Sequence, residues 1–231
     1  MSNDSTTPVR LPRADDPNRV SASRALVPIR SMGRAHLPRI RAHLLALDPH
    51  DRYLRFGYSA NDEQIGRYVD QLNFERDELF GIFNRRLELI AMAHLAFSVD
   101  PDCTSCAEFG VSVSRSARGR GYGSRLFERA VMHARNEGVN LLFIHALSEN
   151  TAMLRIARKA GALIERDGPE SEAHLRLPPA DFDSRVTEIL NEQVALTDYH
   201  LKAQVRQFWS ALDLLQEIRQ GVRKSREQVR G

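Results

Sequence analysis

Residues 107–123 read A-E-F-G-V-S-V-S-R-S-A-R-G-R-G-Y-G. Phe109, Val111 and Val113 alternate with Glu108, Gly110 and Ser112, which predicts a half-buried strand over Ala107–Val113. Arg118-Gly119-Arg120-Gly121-Tyr122-Gly123 then puts glycine at every second position. Leu126, Phe127, Ala130, Val131 and Ala134 follow at helical spacing. Glycines let a backbone approach a ligand closely. The first N–H groups and the dipole of the following helix favour an anion, and Arg118 and Arg120 add charge. A glycine loop by itself also makes an ordinary tight turn. The strand before it and the helix after it favour a pocket for a phosphorylated ligand.

Outward from this stretch, the elements fall into a sheet. Leu79–Asn84 and Glu88–Phe97 read as strands joined at Arg85-Arg86, so Ala107–Val113 is the third strand of a meander. Leu141–Leu147 is the next strand, after the turn Glu137-Gly138. Asn150 opens a short helix, Thr151–Ala160, that ends at Gly161. Ala162–Arg166 and Ala173–Leu177 pair as a hairpin across Asp167-Gly168-Pro169. Upstream, His36–Leu47 is helical, and Asp48-Pro49 ends it. Asn61 or Asp62 caps another helix, with Ile65, Tyr68, Val69 and Leu72 on one face. The expected fold class is α+β: a mixed, mostly antiparallel sheet with helices on both faces.

The motifs resemble those of the GNAT acetyltransferase superfamily. The glycine loop matches its R/Q-x-x-G-x-G/A pattern at Arg118–Gly123, and Asn150 matches its second motif. Within the superfamily the chain is similar to the acetyltransferase domain of bacterial Pat-type protein lysine acetyltransferases. AEFGVSV, Asn150–Gly161 (N-x-x-M-L-x-x-A-x-K-x-G) and Arg52–Phe56 (R-Y-L-R-F) carry that likeness. The resemblance covers roughly residues 35–178 and implies a GNAT fold with acetyl-CoA as co-substrate.

The same resemblance implies roles for individual residues. Glu108 lies ten residues before Arg118, the spacing of the proposed catalytic glutamate in Pat-type domains. A buried or half-buried Glu108 would have its pKa raised toward neutrality, which suits a general base. Backbone groups of Val111 and Val113 would bind the pantetheine arm and thioester carbonyl, on a strand splayed from Leu141–Leu147. Arg118, Gly119, Arg120, Gly121, Tyr122 and Gly123 would wrap the pyrophosphate, mostly through backbone N–H groups. Asn150 would cap its helix and contact the pantetheine. Many family members carry a tyrosine acid where this chain has Ala157, and Ala162 replaces the usual phenylalanine after the helix-ending glycine. His145 is either a second proton carrier or a satisfied half-buried side chain, and His94 and His133 read as structural.

Composition sets outer limits. The chain has 231 residues, 42% hydrophobic, enough for one core domain plus extensions. No apolar run is long enough to span a bilayer, and the N-terminus reads as neither a secretory nor a transit peptide, so the cytoplasm is the expected compartment. The net charge of +3 is small and the arginines lack interleaved aromatics, which weighs against nucleic acid. Cys103 and Cys106 form one C-x-x-C with no second pair, so no metal centre is expected. They lead into a strand, unlike a redox motif that opens a helix, and read as two cysteines in a hairpin turn.

The expected organisation is a disordered tail over 1–27, an acetyltransferase domain over 28–178, and a helical extension over 179–231. In the extension, Leu201, Val205, Phe208, Leu212, Leu215 and Val222 recur with a spacing close to 3.5, which suits a homodimer seam or a helix docked on its own domain. A nucleotide-sensing domain such as some Pat-type enzymes carry is not expected in this chain. The expected activity is transfer of acetyl from acetyl-CoA to an amine, protein lysine being slightly favoured. The alternative is a non-catalytic acetyl-CoA sensor or scaffold that works through the C-terminal helices.

Overall fold

The computed structural model describes residues 27–180 and, in the extension, 187, 188, 190–196 and 199. One seven-stranded sheet organises them: β1 (Arg30–Ser31), β2 (Glu78–Phe83), β3 (Leu89–Phe97), β4 (Cys106–Val113), β5 (Leu141–Leu147), β6 (Leu163–Asp167) and β7 (Glu170–Arg176). Their order is β1-β2-β3-β4-β5-β7-β6, antiparallel throughout except between β4 and β5. The helices are α1 (Leu37–Leu45), α2 (Pro49–Phe56), α3 (Asp62–Asp70), α4 (Tyr122–Asn136) and α5 (Thr151–Lys159).

Strand alternation gives the sheet two apolar faces. On one, Phe80, Leu95, Phe109, Leu142 and Ile144 pack with Leu126, Ala130 and Leu154 of α4 and α5. Phe109 meets Phe127 edge-on, with ring centroids 5.1 Å apart. On the other, Leu79, Leu89 and Met92 pack with Ile40, Leu44, Ile65 and Val69 of α1 and α3. Asn61 caps α3, accepting from Gln64 N while Gln64 Oε1 accepts from Asn61 N.

Two elements depart from the expectation. β1 is only two residues long and carries no periodic signal. α2 occupies residues that follow a supposed helix stop. Asp48-Pro49 ends one helix and also begins the next: Asp48 Oδ1 accepts from Asp51 N at 2.8 Å, and Pro49 at the first helical position has no N–H to satisfy. Arg52 ties this corner together, donating to the carbonyls of Leu45 (2.6 Å) and Leu47 (3.0 Å) and to Asp62 Oδ1 (2.6 Å).

A disulfide joins Cys103 of the β3–β4 connection to Cys106, the first residue of β4, consistent with the hairpin reading. The described part of the extension is helical within 187–196 and docks on its own domain. Buried Arg129 of α4 donates to Glu188 Oε1 (2.5 Å) and Glu192 Oε2 (3.2 Å). His133 Nδ1 and Asn136 Nδ2 also bond Glu188. The stripe from Leu201 to Val222 lies outside the described residues, as does the expected disordered tail apart from Val27.

Candidate active site

β4 and β5 form a fork. They pair only at Cys106↔Leu141, Ala107↔Leu142 and Glu108↔Phe143. From Phe109 to Val113, β4 keeps its ladder with β3 but has no partner on the β5 side among the described residues. Sheet backbone is normally paired or solvated. The open edge therefore offers unused main-chain donors and acceptors at Val111 and Val113.

Two clefts meet at this fork. One, about 450 Å³, runs from Val111, Ser112 and Val113 to Arg118, Gly119, Gly121, Tyr122 and Gly123. The other, about 640 Å³, is bounded by Glu108 and Gly110 of β4, His145 of β5, and Glu165, Glu170 and Glu172 of the β6–β7 hairpin. Leu54, Arg55, Val111, Asn150 and Met153 line both.

The first cleft fits an anion carried on an extended arm. Gly119 and Gly121 hold φ of +75° and +76°, a backbone region that side chains disfavour. Gly121 is the N-cap of α4, which has no side-chain cap and no acidic residue in its first turn. The N–H groups of that turn are thus left for a ligand, with the helix dipole behind them. Arg118 reaches the cleft but is paired with buried Asp51 of α2, which fixes the loop against that helix. Tyr122 and Gly123 line the cleft as expected, whereas Arg120 is exposed and lies outside its lining. Asn150 caps α5 through Oδ1, which accepts from Met153 N at 3.1 Å, and its amide points toward Leu54 O at 3.5 Å.

Glu108 sits at the last β4–β5 pair and opens into the second cleft. It is exposed, not buried or half-buried, because Phe143 beside it and the hairpin beyond leave this sheet face uncovered. Position alone recommends it.

Behind the fork lies a directed hydrogen-bond chain. Arg55 Nη2 donates to Tyr68 Oη (2.9 Å). Tyr68 Oη donates to His94 Nδ1 (2.8 Å), and His94 Nε2 donates to Asp77 Oδ2 (3.2 Å). Burial pushes the Tyr68 phenol up and, with help from the Arg55 charge, pulls the His94 pKa down, so both stay neutral near pH 7. Nearby, buried His43 takes Leu89 O (3.0 Å) and Ser112 Oγ (2.8 Å), tying α1 to β4. His145 is exposed on the second cleft, and Ala157 is fully buried, so no acid stands at that position.

A sequence profile described as "Acetyltransferase (GNAT) family" matches residues 46–162, more than half of the chain. The chain belongs to the GNAT acetyltransferase family. The GNAT assignment makes it an N-acetyltransferase that uses acetyl-CoA. Solved structures with the same fold include the GNAT domain of PAT from S. lividans. That domain is 19% identical, with TM-score 0.55 over 64% of this chain and 89% of that one. A putative acetyltransferase from Acinetobacter baylyi is 15% identical, with TM-score 0.55 over 66% and 93%. Spermidine N-acetyltransferase from Vibrio cholerae, solved with CoA and spermine, is 15% identical, with TM-score 0.52 over 65% and 95%.

Sequence reasoning missed α2 and with it Asp51, Leu54 and Arg55. The signal was present in R-Y-L-R-F, whose arginines three apart share a helix face. Reading Asp48-Pro49 only as a stop hid it.

Proposed function

We propose that this GNAT enzyme acetylates a primary amine by direct attack, with Glu108 as the general base. The observation that carries the reading is the position of Glu108 at the fork, where the two clefts join. Acetyl-CoA supplies the thioester carbon to which the amine nitrogen bonds. The α4 N-terminus and the loop Arg118–Gly123 hold its phosphates, while Val111, Val113 and Asn150 position the arm. Glu108 accepts through a water first the ammonium proton and then, once the C–N bond has formed, a proton from the nitrogen of the tetrahedral adduct, and passes each to solvent, to which its exposed carboxylate is open.

The second cleft carries Glu108, Glu165, Glu170 and Glu172 against Arg55 and Arg166, a balance that favours a cationic acceptor. An exposed sheet face beside it suits a side chain presented from a larger surface. These features and the Pat-like motifs support a protein lysine over a small amine.

The test is thiol release from acetyl-CoA, with lysine-bearing proteins, polyamines and amino acids as acceptors, for wild type and Glu108→Gln. Turnover should fall by roughly 10²–10⁴ in the variant, with acetyl-CoA affinity by calorimetry unchanged. Full activity in Glu108→Gln removes the assignment, and the productive acceptor names the substrate class.

A further inference from the structure

The departing sulfur needs a partner that Ala157 does not supply. Ala157 is fully buried in the core between the sheet and α5, so the acid that many relatives place there is missing in chemistry and in access. Of the five residues lining both clefts, three are Leu54, Val111 and Met153, which have no side-chain hydrogen-bond donor. Asn150 has committed its oxygen to the α5 cap and turned its amide to Leu54 O. Arg55 is the one cation among the five.

Its setting is built for a fixed cation. A Cβ on Gly110 would lie 2.7 Å from the Arg55 guanidinium carbon, so only glycine lets that group rest on the β4 backbone. The rings of Phe56 and Tyr68 flank it at 5.2 and 5.5 Å from their centroids. From behind, the chain through Tyr68 and His94 ends on the Asp77 carboxylate. Arg55 spends one N–H on that chain, and its other N–H bonds have no acceptor among the described residues. A donor anchored before charge develops does not pay to reorganise when it appears.

We propose that Arg55 is a catalytic residue that stabilises the coenzyme A thiolate as it leaves. When the new C–N bond has formed and the C–S bond breaks, the bonding electron pair goes to sulfur. Arg55 holds that charge at the fork without transferring a proton. The amine loses two protons, one before attack and one from the nitrogen of the tetrahedral adduct, and both go through Glu108 to solvent, so the step balances with no further reactant. Tyr68 is a positioning residue that sets the guanidinium. This rests on the acetyltransferase reading of the site.

The experiment needs no acceptor. Free coenzyme A is titrated on the protein from pH 6 to 10, following thiolate absorbance in the ultraviolet, with desulfo-coenzyme A as the blank. A cysteine thiol ionises at about 8.5, and free coenzyme A titrated in parallel supplies the reference value here. Bound to wild type, the thiol should ionise roughly one unit or more lower. That corresponds to a tenfold or greater preference for thiolate. Arg55→Met should bring the value back toward that of free coenzyme A, and Arg55→Lys should keep part of the shift. Tyr68→Phe should give an intermediate value. Glu108 and Asp51 act in the opposite sense, and Arg118 and Arg155 of the outer cleft act in the same sense. The difference between wild type and Arg55→Met therefore isolates Arg55. A bound thiol that ionises as it does in solution on wild type overturns the proposal without any variant. So does an unchanged lowered value in Arg55→Met. Failure to bind coenzyme A at all would instead overturn the reading of the cleft, so the two failures are distinct.

Discussion

His43 shows how a single side chain can tie the site to the rest of the fold. Burial holds its pKa down at about 4, from an ordinary 6.5, against the pull of its bonds to Leu89 and Ser112. The unfolded chain binds the proton more readily between those values. Stability is therefore complete above pH 6.5 and lost as pH falls toward 4, by about 3 kcal/mol. Urea unfolding across that range should show the slope, and His43→Gln should flatten it. Gly110→Ala is the matching test on the other side of β4. The guanidinium is a flexible end and can give way, so the fold should survive while Arg55 is displaced. A fall in turnover of roughly 10–100-fold is expected, with an unfolding midpoint near that of wild type. The backbone of the glycine loop was legible from sequence, since positive φ at Gly119 and Gly121 is what glycine permits. Arg55 was not, because its role comes from contacts that join Gly110, Tyr68 and His94 across three elements.

At the scale of elements, the α4 N-terminus and the docked extension make separate predictions. Gly121→Glu would put a carboxylate and a strained φ where phosphate is expected to bind. Acetyl-CoA affinity should fall at least tenfold by calorimetry, whereas Tyr122→Phe should leave it nearly unchanged. The extension responds to pH. Burial pulls His133 down, but the bond and charge of Glu188, with Glu78 and Glu137, outweigh it and leave the pKa raised. Burial likewise pushes Glu188 up, but His133, Asn136 and Arg129 bring it down to about 2 from 4.5. The His133 contribution is full below pH 6.5 and fades as pH rises through its raised value. The Glu188 contribution is full above pH 4.5 and fades toward 2. Protection of residues 187–196 against hydrogen exchange, corrected for intrinsic rates, should therefore peak between about pH 4.5 and 6.5. Periodicity fixed most strands and helices, with β5 matching from end to end. It missed α2 because one dipeptide served two helices, and it could not choose between docking and dimerising. Where the extension is described, it docks because Arg129, a charge buried in α4, takes the carboxylates of Glu188 and Glu192, while the stripe from Leu201 to Val222 lies outside the described residues.

For the whole molecule, the organising event is one parallel pairing in an otherwise antiparallel sheet. Antiparallel neighbours can stay paired to their ends. β4 and β5 instead run side by side for three residues and then part, with α4 crossing between them in sequence. Helix and cleft on one side, and the β6–β7 hairpin on the other, are placed by that parting. The sequence pattern carried the strands, the meander and the hairpin, but no single strand records that two of them separate.

The parted length is also a ruler. From Glu108 to Val113 the strand advances about 17 Å, at roughly 3.3 Å per residue. Phosphates seated at α4 and a reacting carbon near Glu108 must be joined by an arm that spans this interval. Acyl donors can thus be sorted by reach as well as by chemistry. Acetyl phosphate is too short to touch both ends. A donor cut back to acetyl-pantetheine keeps the reacting end but gives up the anchor, and should pay for it with a higher KM.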